Sequence, residues 1–401
     1  MADDTPLLLF GACDRHNFGD LLFPHIAAAL LPGRRLIHAG LAARDLRPYG
    51  GHQTRAIAPL ALELRDQPLH ILHVGGELLT CDAWQAAVML QTPEQAQEMI
   101  ARCEHDPAQR RAWAARTLGL GDEAPYCIAR ELFPAAKPVS YCAVGGVELA
   151  DRPAELRREV LAKLHAADGV GVRDKVTHAH LAAAGIAAIL LPDPAVMVRE
   201  LFDAEIQRHA RHGEAAQVRA AFPQGYLAVQ FSADFGDDAT LRIIAAQLDA
   251  IARASGFTIV LFRAGAAPWH DDLACYRRLA AWMHAPAIWL FSSLHLWDIC
   301  ALIAHSRGYC GSSLHGRIVA MAHGLPRINV RQPAPTEIPA KQKAYCASWE
   351  LPGLPVQVAA GEIAAAWSAA SAVPQAMLRQ HAAEMAQEYR GCFAALAAGL
   401  A

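Results

Sequence analysis

Short aliphatic and β-branched runs alternate with long Ala-rich amphipathic stretches along most of the chain. Leu7–Phe10 reads as a first strand, followed by a Gly-punctuated loop and a helix through residues 24–30. Residues 35–38 and 70–74 read as further strands, the second ending in Gly75-Gly76. Residues 93–118 have helical spacing, and 139–144 form another apolar strand bounded by Gly145-Gly146. Residues 154–167 read as a helix, Gly169–Val172 as a strand, and 177–184 as a helix ended by Gly185. A strand at 189–191 then meets the stiff junction Pro192-Asp193-Pro194. After residue 200 the alternation restarts: strands at 226–231, 258–262, 287–290 and 327–330, with helices at 239–255, 273–283 and 295–304. Residues 332–343 read as a Pro-rich loop, and a long helix closes the chain at 374–400. One side of it carries Met377, Leu378, His381, Met385, Tyr389 and Phe393, which predicts packing across one or both domains. Glu384 and Glu388 argue against a membrane-surface role for it.

Strand–helix alternation of this kind predicts parallel sheets with right-handed crossovers. The fold expected is α/β: two Rossmann-like domains, residues 1–200 and 201–401, the second including the closing helix. Folds of this type bind ligands outside the carboxyl ends of their strands, here in a cleft between two sheets.

Composition narrows the function. A chain of 401 residues, 54% hydrophobic and 19% charged, has material for two packed cores. A net charge of −3 leaves no basic footprint for nucleic acid. The ten Cys are scattered without a C-x-x-C pair, as expected of buried reduced thiols in a cytoplasmic protein. The acidic start is unlike a secretory signal, and no apolar run is long enough to span a bilayer. Among 19 His, the close pairs His70/His73, His178/His180 and His209/His212 lack a carboxylate at recognisable ligand spacing, so no metal is expected.

The densest chemistry lies in Ser312-Ser313-Leu314-His315-Gly316-Arg317, opening a helix that Gly324 and Pro326 stop. The apolar run 300–303 before it is strand-like in composition. A helix start offers unpaired N–H groups and a positive dipole end to an anion, and His315 adds a proton-transfer group. A Ser-capped helix whose His packs against a neighbour fits the same residues. The first loop supplies Asp14, Asn17, Gly19 and Asp20. Asp20 is either a carboxylate favoured by a helix start or a base for a substrate hydroxyl, and Asp14 is a second candidate for that base. Gly75, Gly76 and Glu77 end the next strand, where paired glycines let a ligand approach backbone. Arg173-Asp174…Thr177 leads on to Asp193-Pro194, and a G-x-G-x-x-G fingerprint is absent from the first loop.

In this order, Asn17-x-Gly19-Asp20, Gly75-Gly76, Arg173-Asp174…Thr177 with Asp193-Pro194, and Ser313-Leu314-His315-Gly316 with Gly324-x-Pro326 resemble the polysaccharide pyruvyl transferase family over residues 8 to 330. The resemblance implies a two-domain fold similar to B-type (GT-B) glycosyltransferases. It implies transfer of a pyruvyl group from phosphoenolpyruvate to two hydroxyls of a sugar or glycan precursor as a ketal, with no metal or nucleotide cofactor. A lipid-linked acceptor is one form of that precursor. His315 would act on the donor as acid or phosphate ligand, with Ser312, Ser313, Leu314, Gly316, Arg317 and Arg263 around it. Asp20 would activate the sugar hydroxyl, with Asn17, Gly19, Gly75, Gly76 and Glu77 on the acceptor side.

The chain departs from the family pattern at two points. Members place an Arg directly before the Leu-His pair, where Ser313 stands, and an Arg just after the first strand of the second domain, where Gln230-Phe231-Ser232 stands. Ser cannot replace a bidentate guanidinium, and Arg263 and Arg317 are the candidates to substitute. The alternative is a GT-B-type glycosyltransferase or a related transferase with another anionic donor, for which Glu337 would read a nucleotide ribose. A non-catalytic binding protein on the same fold is a third class, and the joint presence of Asn17, Asp20 and His315 argues against it.

Overall fold

The computed structural model describes residues 5–285, 288–332 and 341–398. Glu337 therefore lies outside the described residues, as does most of the expected Pro-rich loop. The chain forms two compact units. Residues 1–194 together with 388–401 make the first and 195–387 the second, so the division falls at Pro194/Ala195 and the end of the last helix belongs to the first unit.

In the first unit, eight strands form one sheet: β1 (Leu7–Phe10), β2 (Leu36–Gly40), β3 (Arg44–Asp45), β4 (Gln53–Ala56), β5 (Leu69–His73), β6 (Ala136–Val144), β7 (Gly169–Val172) and β8 (Ile189–Leu190). Their order is β3-β4-β2-β1-β5-β6-β7-β8, parallel except for the antiparallel β3–β4 pair. β1 is central, pairing Leu7 with Leu36 on one side and with His70 on the other. All four of its residues are fully buried, which is why it reads as an uninterrupted apolar run rather than an alternating one.

The second unit holds β9 (Tyr226–Gln230), β10 (Thr258–Leu261), β11 (Ile288–Leu290), β12 (Tyr309–Gly311), β13 (Arg327–Arg331) and β14 (Gln357–Ala359). The order β11-β10-β9-β12-β13-β14 is parallel throughout, so every strand delivers its carboxyl end to the same rim. Its core joins Leu227, Val229, Ile259 and Leu261 to the faces of helices Asp238–Ser255 and Ile363–Ser371.

Three expectations change. The run 300–303 lies inside the helix Leu296–Ala304, and the strand before the Ser-Ser-Leu-His segment is β12. Residues 299–303 are all buried, so this stretch shows no polar face and its period is invisible in such a short apolar run. Residues 93–118 form two helices, Pro93–Cys103 and Pro107–Leu118. Asp106 caps the second by accepting from Ala108 N and Gln109 N, and Pro107 occupies its first turn. The closing helix spans Gln375–Ala397, but Met377 on its supposed apolar side is 48% exposed. Leu378 instead joins the second core, and Tyr389 places its hydroxyl 3.4 Å from Cys142 Sγ in the first unit.

A stack of histidines at the β2/β4 side of the first sheet carries a pH prediction. His52 stacks on His38 with ring centroids 3.8 Å apart and lies 4.1 Å from His25. Burial, and then His25, lower His38 to about 4; burial, His25 and His38 lower His52 to about 3. Unfolded His titrates near about 6.5, so below that pH the unfolded chain takes up protons that the folded stack refuses. The contribution is present above roughly pH 6.5 and declines as pH falls toward the folded values. Tm measured from pH 7.5 to 5 is expected to fall less in His52→Phe than in wild type; parallel curves would remove the stack as a cause.

Candidate functional site

In a parallel sheet, the loops following the strands gather on one rim, and the first unit assembles its candidate residues this way. Asn17 caps the helix Phe18–Leu30, its Oδ1 accepting from Gly19 N at 3.2 Å. Asp20 sits in the first turn of that helix, 7% exposed. Gly76 has φ 93°, and a Cβ there would stand 3.3 Å from Asp20 Oδ1; Gly75 has φ 107° and would press on the Phe23 ring. Both glycines are thus required by conformation and by the closeness of the first helix.

Arg15, which the sequence reading left unused, reaches the same place. Its Nη2 lies 3.9 Å from Asp20 Oδ2, its Nη1 contacts the Tyr126 hydroxyl, and its guanidinium carbon lies 5.1 Å over the Tyr126 ring. Asp14 is committed elsewhere: it accepts from Leu41 N at 2.6 Å, Ala42 N at 3.2 Å and Tyr126 Oη at 3.1 Å. Burial raises its carboxyl above the usual range, against the pull of Arg15. Asp14 thus pins the loop, while Asp20 stands beside Arg15 in the first turn of the helix.

Glu77, itself half-buried, ends an ion-pair chain whose other members are buried. Arg173 Nη2 donates to Glu77 at 2.7 Å and Nη1 to Asp193 at 2.9 Å, with Val147 N donating to the other Glu77 oxygen. Asp174 caps the following helix by accepting from Thr177 N at 2.7 Å and from Thr177 Oγ1 at 2.8 Å. The Arg173-Asp174…Thr177 motif is therefore internal scaffolding that joins the ends of β5, β7 and β8.

The second unit builds its rim around Gln230, the last residue of β9, 2% exposed. Its Oε1 accepts from Ser313 N at 2.8 Å and Tyr309 Oη at 3.1 Å, while Nε2 donates to Asp271 at 2.7 Å. Ser313 caps the helix Leu314–Ala322, accepting from Gly316 N at 3.2 Å. Ser312 Oγ accepts from Ser232 N at 2.9 Å. The residues standing where two arginines were expected are thus tied to each other. Gly316 is required by crowding, since a Cβ there would meet the Tyr309 ring at 2.5 Å.

His315 occupies the first turn of the Leu314–Ala322 helix and is 8% exposed. Arg263 follows β10, the strand beside β9; its Nε is buried with no hydrogen-bond partner among the described residues. Asp271 accepts from Ala264 N at 2.6 Å, and burial pushes its carboxyl up to about 7 despite that bond and nearby Arg263. Arg317 is a correction. Its guanidinium is fully buried, donating to Glu350 at 2.9 Å, Val356 O at 3.0 Å and Pro355 O at 3.0 Å, so it serves the fold rather than a donor. Among the described residues, neither rim's candidate residues form a group of three His, Cys or carboxylate side chains at metal-ligand spacing.

A family model described as polysaccharide pyruvyl transferase matches residues 17–332. No curated protein matches the chain. Among solved structures, UDP-GlcNAc 2-epimerase from Neisseria meningitidis bound to UDP-GlcNAc superposes with a TM-score of 0.54 at 12% identity, covering 99% of each chain. Trehalose-6-phosphate synthase OtsA gives 0.50 at 12% identity, covering 98% of each. At such identity these two share the fold, a GT-B-like pair of parallel-sheet α/β domains. Among the described residues, no helix is long and apolar enough to cross a membrane.

Proposed function

We propose, from the premise that this chain belongs to the polysaccharide pyruvyl transferase family, that it transfers the pyruvyl group of phosphoenolpyruvate to a sugar or glycan acceptor as a cyclic ketal. The observation that carries this reading is the second unit's rim, where His315 opens a helix and Arg263 follows the neighbouring strand with an unpartnered buried Nε. The helix start and one guanidinium suit a donor bearing carboxylate and phosphate.

The reaction needs three proton transfers and the cleavage of the C–O bond to phosphate. His315 delivers a proton to the enol carbon, which becomes the methyl group, as a sugar hydroxyl adds to the adjacent carbon. Asp20 takes that hydroxyl's proton. The C–O bond to phosphate then breaks, the second hydroxyl closes the ketal, and its proton leaves with the phosphate. Atoms balance as phosphoenolpyruvate plus a diol giving ketal plus phosphate. Arg263 takes the donor-gripping part that Gln230 and Ser313 cannot perform, because their polar groups hold the loop together.

The test is incubation with phosphoenolpyruvate and a panel of glycans, following phosphate release and the ketal methyl signal by proton NMR. Arg263→Gln is expected to raise KM for phosphoenolpyruvate about tenfold or more, the effect of losing one charge-assisted contact of roughly 1.5–3 kcal/mol. An unchanged KM removes Arg263 from the donor site. A different donor on the same fold is favoured by one observation, the absence of guanidinium groups at Gln230 and Ser313.

A further inference from the structure

Away from the strand-end motifs, the second unit brings together side chains that lie far apart in sequence. Glu205 and His209 share one face of the helix Val198–His209, a single turn apart. His295 and Asp298 stand at the start of the helix Leu296–Ala304. His209 Nδ1 lies 2.6 Å from Asp298 Oδ1, and the His209 and His295 rings stack at 4.7 Å with a 20° tilt. One ligand atom from each of His209, His295 and Asp298 falls within 4.8 Å of the other two.

A His–Asp ion pair alone does not explain the second imidazole. His295 Nδ1 is buried and has no hydrogen-bond partner among the described residues, an arrangement that proteins ordinarily avoid. The carboxylate is held in place: Ser293 Oγ donates to Asp298 Oδ2 at 2.6 Å and accepts from His295 N at 3.2 Å. Such outer contacts orient metal ligands. Glu205 Oε1 lies 3.3 Å from His209 Nε2. Arg208 is the neighbouring cation, its Nη2 3.4 Å from the same nitrogen and bonded to Glu205.

We propose that His209, His295 and Asp298 form a binding site for a divalent transition metal of the zinc class. Two imidazoles and a carboxylate suit zinc, cobalt or nickel over calcium or magnesium. Ligands about 2.0–2.1 Å from a tetrahedral zinc stand roughly 3.3 Å apart. The His209–Asp298 pair therefore opens slightly on binding, with water in the fourth position. The metal would pin the end of one helix to the start of another. His295 and Asp298 follow β11, whereas Ser313 follows β12, and these strands lie three positions apart, roughly 14 Å at about 4.8 Å per strand. It is independent of the donor rim and of the pyruvyl-transfer reading.

The experiment is calorimetric titration of chelator-stripped full-length protein with Zn²⁺, with Co²⁺ followed in parallel by visible absorption. One saturable equivalent and a tetrahedral cobalt spectrum are expected. Asp298→Asn and His295→Ala should each lower the affinity at least tenfold, while His105→Ala, an exposed control, leaves it unchanged. Zn²⁺ should raise Tm in wild type but not in Asp298→Asn. Should His295→Ala fail to fold by circular dichroism, His295→Gln answers the same question. Absence of a saturable equivalent, or binding that survives in both ligand variants, overturns the proposal.

Discussion

Asp20→Asn is expected to lower kcat for phosphate release by about 10²–10⁴-fold, the usual contribution of a positioned general base, while KM for phosphoenolpyruvate stays near its wild-type value. The split follows from the assignments. In the proposed mechanism His315 and Arg263 handle the donor in the second unit, whereas Asp20 stands in the first with Arg15 Nη2 3.9 Å from its carboxylate. Asn keeps the size and most hydrogen-bonding capacity of Asp, so Tm should hardly move. Steady-state kinetics with thermal melts decide it: a variant within about threefold of wild-type kcat removes Asp20 as the base, and activity would then have to be sought elsewhere on the first rim.

The largest stability effect is expected at Glu350. This carboxylate is almost wholly buried between Arg317 and Arg327, taking Arg317 Nη2 at 2.8 Å and Arg327 Nε at 3.0 Å, with Leu351 N adding a bond at 2.9 Å. Removing one partner of a buried ionic group strands the others, and here two guanidiniums would be stranded. Glu350→Ala should destabilise the protein by about 3–5 kcal/mol, or roughly 6–20 °C in Tm. The pH dependence follows the same cluster. Burial raises the Glu350 carboxyl, but Arg317 and Arg327 outweigh it and hold it at about 2. The unfolded carboxylate protonates near about 4.3, so the stabilisation is complete above that pH and is lost as pH falls toward 2. Acid titration of Tm in wild type and Glu350→Gln checks this: the variant should begin lower and lose less between pH 5 and 3.

The alternation of strands and helices was legible because buried parallel strands are short aliphatic runs and their crossovers are long and Ala-rich. What escaped was set by partners distant in sequence. β3 and β4 are two and four residues long and polar, with no apolar run to mark them. Arg317 looked like a donor ligand because it stands one turn after Ser313, while Glu350 and the carbonyls of Pro355 and Val356 that hold it come more than thirty residues later. Arg15 was passed over because an Arg between Asp14 and His16 has no spacing rule, and Tyr126, which helps fix its position, lies more than a hundred residues away. Ser313 was readable as a helix cap from its side-chain chemistry and caps its helix, whereas the cap at Asn17 was not read, because the apolar run suggested a helix only from residue 24. The pair His209/His212 was set aside for lack of a nearby carboxylate; folding supplies Asp298, eighty-nine residues away, and pairs it with His209 alone.

The claim at the centre of this account is that the helix start at His315 holds an anionic, phosphate-bearing donor. Calorimetric titration of the full-length protein with phosphoenolpyruvate, beside His315→Ala and a panel of nucleotide-sugars, tests it most directly. Saturable binding of phosphoenolpyruvate that disappears in a folded His315→Ala variant is the predicted result. Silence toward phosphoenolpyruvate with binding of a nucleotide-sugar would contradict it, and would make Ser313 and Gln230 the mark of a different donor.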